Sequence, residues 1–286
     1  MRKTKWWKRK HARELIWKIG ITTVVASGLI IVFIPIVWMV FTSLSSPSDV
    51  VAGRWLPTKF VWKNYLETVT VAIPYFLYFK NTLIITLLTL IGVVLSSSLV
   101  AYGFSRLRAP GRDALFLILL SSLMLPPQVT MVPLFLLFNR FGWLDTYAPL
   151  IVPFWFGGTP FYVFLLRQFY RTLPMELDEA AKIDGCNVFG IYWKIILPLS
   201  KPVLAAVAIF TFMWKWNDFM PPLIYLNTME KYPLSLGLAF LQSGYGIVQW
   251  NFLMAASVLT MLPCIVIFFF AQKYFIQGIV VTGIKG

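Results

Sequence analysis

Apolar and polar positions along this chain fall into long blocks. Residues 19–44, 81–102, 114–138, 147–166, 203–225 and 252–271 are apolar runs of 20 to 26 residues, separated by shorter polar stretches. A helix rises 1.5 Å per residue, so each run is long enough to cross a hydrocarbon core about 30 Å thick. The pattern predicts an all-α integral membrane protein with six transmembrane helices. The third run carries Pro126, Pro127 and Pro133, and the fourth carries Pro153, Gly157, Gly158 and Pro160. Kinks are expected in both, tolerated where neighbouring helices or a wet cavity satisfy the freed backbone. Ser43 and Ser45 resemble a cleavage site for a leader peptide, but such a leader has an apolar core of about 7–15 residues. The longer first run is expected to stay as an anchor. Residues 45–80, with three prolines, a glycine and several aromatics, suit an external segment lying against the membrane surface.

The longest weakly hydrophobic interruption in the second half is residues 173–198, between the fourth and fifth runs. Pro174 suits a first helical turn, and Glu176, Asp178 and Glu179 complement the positive end of a helix dipole. A short helix should therefore start here, with Leu177, Ala180, Ala181 and Asp184 on one face. Gly185 ends it, and Asn187 caps a second helix carrying Val188, Phe189, Ile191, Tyr192, Ile195 and Ile196. Two small helices turning on a glycine, with alanines at the surface, make a knob that another protein can approach closely. An ordinary solvated cytosolic loop has the same local chemistry, and physical chemistry alone leaves both readings open.

Composition supports the membrane assignment: 59% of residues are hydrophobic and only 13% charged. The formal charge of +14 is concentrated, since eight of the 25 Lys and Arg residues lie in the first 18 positions. Residues 1–18 therefore form a basic cytoplasmic tail, fit to orient the first helix or touch anionic lipid, and residues 19–286 form the transmembrane domain. With no soluble domain to present a basic face, nucleic-acid binding is not expected. For six spans, 18 Lys and Arg fall on the side of both termini and the 173–198 loop, against 6 on the other, with Lys215 inside the fifth span. Both termini and the loop are expected to be cytoplasmic. The single histidine, His11, lies in the tail, so no histidine cluster offers metal or general-base chemistry. Cys186 and Cys264 are expected in different compartments, which argues against a disulfide.

Ionisable residues inside a span are functional candidates, and the fifth run contains Lys215 and Asp218 with Asn217 between them. Their spacing of three allows an ion pair. They either line a solute path, together with Gln128, or lie near the outer headgroups. The roughly 13 uncharged residues before Lys215 rise ~20 Å, and Trp214, Trp216 and Trp250 are of the type that prefers the interface. Ser96 to Ser98 and Asn251 are polar as well, and helix packing explains them equally well.

Glu179, Ala180, Ala181, then Gly185, then Ile195, Leu197 and Pro198 resemble the EAA signature of ABC importer permeases at every fixed spacing. Cys186 departs from the family's usual alanine, small for small. The segments AYGFSRLRAPGRD, Trp216 to Phe219 with Pro222, and the closing FIQGIVVTGIKG are similar to maltose-type carbohydrate permeases, so the likeness covers nearly the whole chain. The resemblance implies a coupling helix in the 173–198 loop, with Glu179, Ala180, Ala181, Asp184 and Gly185 meeting a cytoplasmic ATPase. It also implies a C-terminal tail, Gly283, Lys285 and Gly286, reaching toward the ATPase pair. The implied partners are a second related permease, two ATP-binding subunits holding ATP and Mg, and an extracytoplasmic solute-binding protein. The implied cargo is a sugar or similar polyhydroxylated solute, and the implied location a prokaryotic plasma or inner membrane.

The chain has no G-x-x-x-x-G-K-[ST] phosphate loop, no G-x-S-x-G nucleophile turn and no H-E-x-x-H pair, so it is not expected to be an enzyme or to hold a cofactor or metal itself. The alternative is a secondary transporter driven by an ion gradient. Such folds usually show internal repeats and midplane charges, and here there is no convincing repeat and one intramembrane charge pair.

Overall fold

The computed structural model describes the backbone of residues 3–243 and 248–283, and the side chains of residues 14–242 and 248–272. The chain forms two compact units, Met1–Ala72 with Leu241–Leu259, and Ile73–Phe240 with Thr260–Gly286.

In the first unit α1 (Lys3–Ser43) runs unbroken from the basic tail through the first apolar run. The apolar side chains of Glu14–Ser43 are exposed almost throughout, as suits contact with lipid. Beyond it, the expected external segment holds two short helices, α2 (Pro47–Val51) and α3 (Lys63–Glu67), the second continued by a π-helical turn, Thr68–Ala72. Ser46 caps α2 by accepting from the Asp49 N–H at 3.2 Å. Buried Asn64 donates to the carbonyls of Ser43 and Ser45, both at 2.9 Å, and accepts from Asn251 at 3.3 Å. Asn251 thus serves packing, as polar groups do between helices where lipid offers them no partner.

The second unit is built along α4 (Tyr75–Arg106), which is longer at both ends than the expected 81–102. Next come α5 (Arg112–Ser121), a 3-10 turn (Ser122–Met124) and α6 (Pro127–Arg140). The expected kink in the third run is in fact a bend of 99°. A proline pushes the residue before it out of helical geometry. Leu125 precedes Pro126, Pro126 precedes Pro127, and both residues are extended, with ψ of 118° and 135°.

The fourth span is also broken: α7 (Ala148–Ile151), a 3-10 turn (Val152–Trp155), then α8 (Pro160–Thr172). Side chains of α4 bind its freed carbonyls, Thr89 Oγ1 to Leu150 O at 3.1 Å and Ser96 Oγ to Phe154 O at 2.9 Å. Gly157 and Gly158 have φ of 92° and 60°, and a Cβ on Gly158 would collide with Ser97 Oγ. Only glycine fits there.

After the loop helices α9 (Glu176–Ile183), α10 (Val188–Ile191) and α11 (Leu197–Leu199), the chain bends by 78° into α12 (Lys201–Trp216). The fifth span was expected to run to residue 225. Instead it stops at Trp216, and α13 (Met220–Tyr225) starts anew with Pro221 and Pro222 near its first turn, where a missing N–H costs nothing. The last helices are α14 (Leu234–Ser243) and α15 (Trp250–Gly283).

Among the described residues, four helices are long and apolar enough to cross a membrane, and up to six spans result if each bent pair counts as one. The core of this unit joins Val93, Val163, Leu166 and Val207, all fully buried, to Ile191 and Ile196 of the 173–198 loop. The loop is therefore packed into the helix bundle on one side and free on the other.

Candidate functional site

The loop begins where α8 ends at Thr172. Three acids stand in the first turn of α9, and Gly185 ends it with φ of 80°. The Cys186 N–H reaches Ala181 O at 2.8 Å and the Gly185 N–H reaches Lys182 O at 3.0 Å, the two bonds of a Schellman turn. Nothing lies within 4 Å of a Cβ on Gly185, so the glycine is required by its backbone angle and not by space. Asn187 caps α10, accepting from the Gly190 N–H at 2.7 Å. A π-helical turn over Tyr192–Ile196 and α11 lead to the next span.

Glu179, Ala180, Asp184 and Gly185 are exposed together on the free side. Ala181 is not: at 5% exposure it faces the core and joins the buried cluster, correcting the expectation that both alanines are at the surface. A small residue there lets α9 lie close on the bundle. The free side also carries apolar side chains that the sequence reading did not single out as surface, Ile183 at 87% and Phe189 at 63% exposure. It combines negative charge, small residues and exposed hydrophobic area, a composition suited to a protein partner.

A second feature went unread in the sequence. Arg106, counted there only as a cytoplasmic charge, is buried beneath the loop. Its Nη1 lies 3.0 Å from Asp178 Oδ2, and its Nη2 donates to the carbonyls of Tyr170 at 2.7 Å and Leu173 at 2.8 Å. The available signal was periodic: Ser98, Tyr102 and Arg106 follow at intervals of four, one polar stripe on an apolar helix.

On the path proposed for solute, Gln128 lines a cavity of about 330 Å³ together with Thr130, Phe154, Trp214, Lys215 and Tyr225. Asn217 and Asp218 are not among its walls. Asn217 Nδ2 donates to Met213 O at 2.7 Å, and Asp218 Oδ2 lies 2.7 Å from Lys215 Nζ. The expected ion pair is present. It is enclosed by protein, with the ammonium 4.2 Å and 4.4 Å from the ring centroids of Phe154 and Trp214, where aromatic faces help hold a desolvated cation. Trp216 is 2% exposed and stacked on Phe212, so it is a core residue and not an interface anchor. Ser96 and Ser98 bond to Phe154 O and the Tyr192 hydroxyl, which assigns them to packing. Of the tail residues, Gly283 is the last residue of α15, and Lys285 and Gly286 lie outside the described residues. Among the described residues no group of three or more His, Cys, Asp or Glu side chains is arranged to hold a metal.

Comparison with known proteins matches residues 89–281 to the family model described as the binding-protein-dependent transport system inner membrane component. The chain is 38% identical over 230 residues to the arabinooligosaccharides transport system permease protein AraQ of Halalkalibacterium halodurans, covering 80% of this chain and 81% of that one. It is 32% identical over 259 residues to the trehalose/maltose transport system permease protein MalG of Thermococcus litoralis, covering 90% and 93%. Its fold matches a chain of a bacterial ABC transporter involved in the import of the acidic polysaccharide alginate, with a TM-score of 0.83 at 23% identity over 92% of this chain and 97% of that one. A matched region of this extent, a broken-helix membrane bundle and an exposed loop between its spans lead to one assignment: the chain belongs to the family of inner-membrane components of binding-protein-dependent transport systems, as a permease subunit that is not itself an enzyme.

Proposed function

We propose that this chain is one of two related pore subunits of an ATP-driven importer, and that it admits a carbohydrate or similar polyhydroxylated solute to the cytoplasm. ATP and Mg belong to two partner ATPase subunits, and an extracytoplasmic binding protein delivers the solute. The names of the relatives support the sugar class. The excess of Lys and Arg on the side of the 173–198 loop supports cytoplasmic termini and a cytoplasmic loop.

The observation that carries the coupling role is the free side of the loop: Glu179, Ala180, Asp184 and Gly185 exposed together on a short helix whose opposite side, through Ala181, is part of the core. When nucleotide draws the ATPases together, a knob seated in their surface moves, and helices packed against it swing between inward-open and outward-open arrangements. The mechanism is a two-state element biased from inside by nucleotide and from outside by the loaded binding protein. The tail residues Gly283, Lys285 and Gly286 add a second contact to the ATPase pair. Gln128 is the candidate of the three polar residues with direct access to the cavity. An ion-gradient carrier finds no support in the family or its relatives.

The test is purification of the complex from detergent-solubilised membranes, with identification of what co-purifies, for the wild type and for Gly185→Val. A β-branched residue at φ of 80° costs about 1–2 kcal/mol of local strain and distorts the turn. The wild type should bring down an ATPase and a second permease, and the variant should move at least tenfold less solute per ATP hydrolysed. A wild-type chain that purifies alone, or a variant with normal uptake, would refute the coupling role.

A further inference from the structure

We infer that Arg106 is a positioning residue that clasps the docking loop to α4, so that loop and helix move as one body. The inference rests on the proposed docking role and adds the path by which displacement of the loop enters the bundle.

The clasp is made by the polar stripe at the inner end of α4. Arg106 binds Asp178 of α9 at 3.0 Å and, with the other nitrogen of its fork, the carbonyls of Tyr170 and Leu173 at the end of α8. Four residues earlier, the Tyr102 hydroxyl donates to Val188 O of α10 at 3.1 Å. Four earlier again, the hydroxyls of Ser98 and Tyr192 lie 2.6 Å apart. The stripe thus reaches each small helix on either side of the Gly185 turn, as well as the segment leading into it. Hinge freedom at Gly185 would otherwise let the two helices shift independently.

The chemistry selects position over stability. The side chains of Arg106 and Asp178 are 2% and 5% exposed, and removing both charges from water offsets much of their attraction. Nε of Arg106 and Oδ1 of Asp178 find no partner among the described residues. An apolar pair would be as good for stability, while a planar guanidinium on α4 bonded to both α9 and the end of α8 fixes their mutual geometry.

The far end of α4 is tied in the same way. Asn81 Nδ2 donates to the carbonyls of Glu230 and Tyr232 at 2.8 and 3.0 Å, and Thr82 Oγ1 accepts from the Leu234 N–H at 2.8 Å. The helix of 32 residues, about 48 Å long, therefore holds the docking loop at one end and the 230–234 segment at the other.

The experiment uses the reconstituted importer with its ATPases and binding protein. Variants are Arg106→Gln, Arg106→Lys, Asp178→Asn, the Arg106→Gln/Asp178→Asn double, and Tyr102→Phe, which removes one tie with packing kept. Co-purification of the ATPase reports docking, and solute moved per ATP hydrolysed reports transmission. Spin labels at Lys182 and Leu99, both exposed, with Cys186 and Cys264 replaced by alanine, report the distance between loop and helix.

Arg106→Gln should still bring down the ATPase but transport at least tenfold less per ATP. Lysine should not rescue it, the double variant should be no worse than the worse single, and Tyr102→Phe should lose two- to threefold. The spin-label distance should be the same with and without nucleotide in the wild type and broaden in Arg106→Gln. Normal transport per ATP in Arg106→Gln, multiplicative losses in the double, or a wild-type distance that changes with nucleotide would each overturn the clasp. If Arg106→Gln fails to fold, Tyr102→Phe and the wild-type distances decide the matter. Failure of the wild type to bring down an ATPase would instead sink the docking role itself.

Discussion

The two ends of the second unit carry the same kind of interaction in opposite settings. At the loop, Arg106 and Asp178 are 3.0 Å apart with side chains 2% and 5% exposed. Between α6 and α7, Asp145 meets Lys231 at 2.7 Å, with side chains 26% and 39% exposed. Asp145 also accepts from the backbone N–H groups of Asn227 and Thr228 and from the Thr228 hydroxyl. Both pairs join segments far apart in sequence. Distance alone would rank the Asp145 pair higher; burial reverses the order. An exposed pair is worth about 0–1 kcal/mol, whereas removing one partner of a buried pair strands a charge and costs about 3–5 kcal/mol.

The largest effect should come from Asp178→Ala. It leaves the Arg106 guanidinium buried beside no carboxylate, and an apparent loss of about 3–5 kcal/mol should appear as a clear fall in melting temperature in detergent. Replacing both residues with apolar ones should recover much of that loss in stability but not in transport, which separates the energetic role of the pair from its geometric one.

An intermediate effect is expected from Asn81→Ala, which removes both bonds to the 230–234 segment and leaves two carbonyls to find other partners. At about 1 kcal/mol for each net hydrogen bond, roughly 2 kcal/mol should be lost. Faster amide exchange confined to that segment would locate the loss. Unchanged exchange there would contradict the tie.

The smallest effect concerns pH at Asp145. The Lys231 ammonium, followed by the Thr228 hydroxyl and the backbone donors, holds its carboxyl well below the usual range. A depressed folded value means that the contribution is fully present above the unfolded carboxylate value near 4 and is lost as pH falls toward the folded one. Between pH 7 and 5 the 226–232 segment should therefore be unaffected. Below pH 4 it should loosen in the wild type and much less in Asp145→Asn, which keeps a residue type tolerant of φ of 55°. Equal loosening in both proteins would remove Asp145 from the account.

The 173–198 loop was the most legible part of the chain. The acids of the first turn, Gly185 and Asn187 act within four residues of themselves, so the stop at Gly185 and the cap at Asn187 could be written down from sequence, whereas Pro174, expected in the first turn, lies just before the Met175 N-cap of α9. The positions of the apolar runs were legible too, because crossing a membrane is a requirement on length and composition. The bend at Pro126 was only half legible. Two consecutive prolines announce a break, but whether the chain bends a little or by 99° depends on what each half packs against. Trp216 read as an interface residue and is core, since an indole has the same pattern value in either place.

The sequence by itself thus determined the stop at Gly185 and the cap at Asn187, which stretches are apolar enough for hydrocarbon, and which loop is rich in acids and small residues. These follow from backbone angles and hydropathy, properties of a residue and its near neighbours. Only the tertiary structure decided that Ala181 faces inward while Ala180 faces out, that Gln128 reaches a cavity which Asn217 and Asp218 do not line, and that Arg106 lies beneath the loop. Arg106 and Asp178 are 72 positions apart. Their pairing depends on how α4, α8 and the loop pack together in three dimensions, where the low dielectric of the core favours a buried carboxylate as the counter-charge for a buried guanidinium.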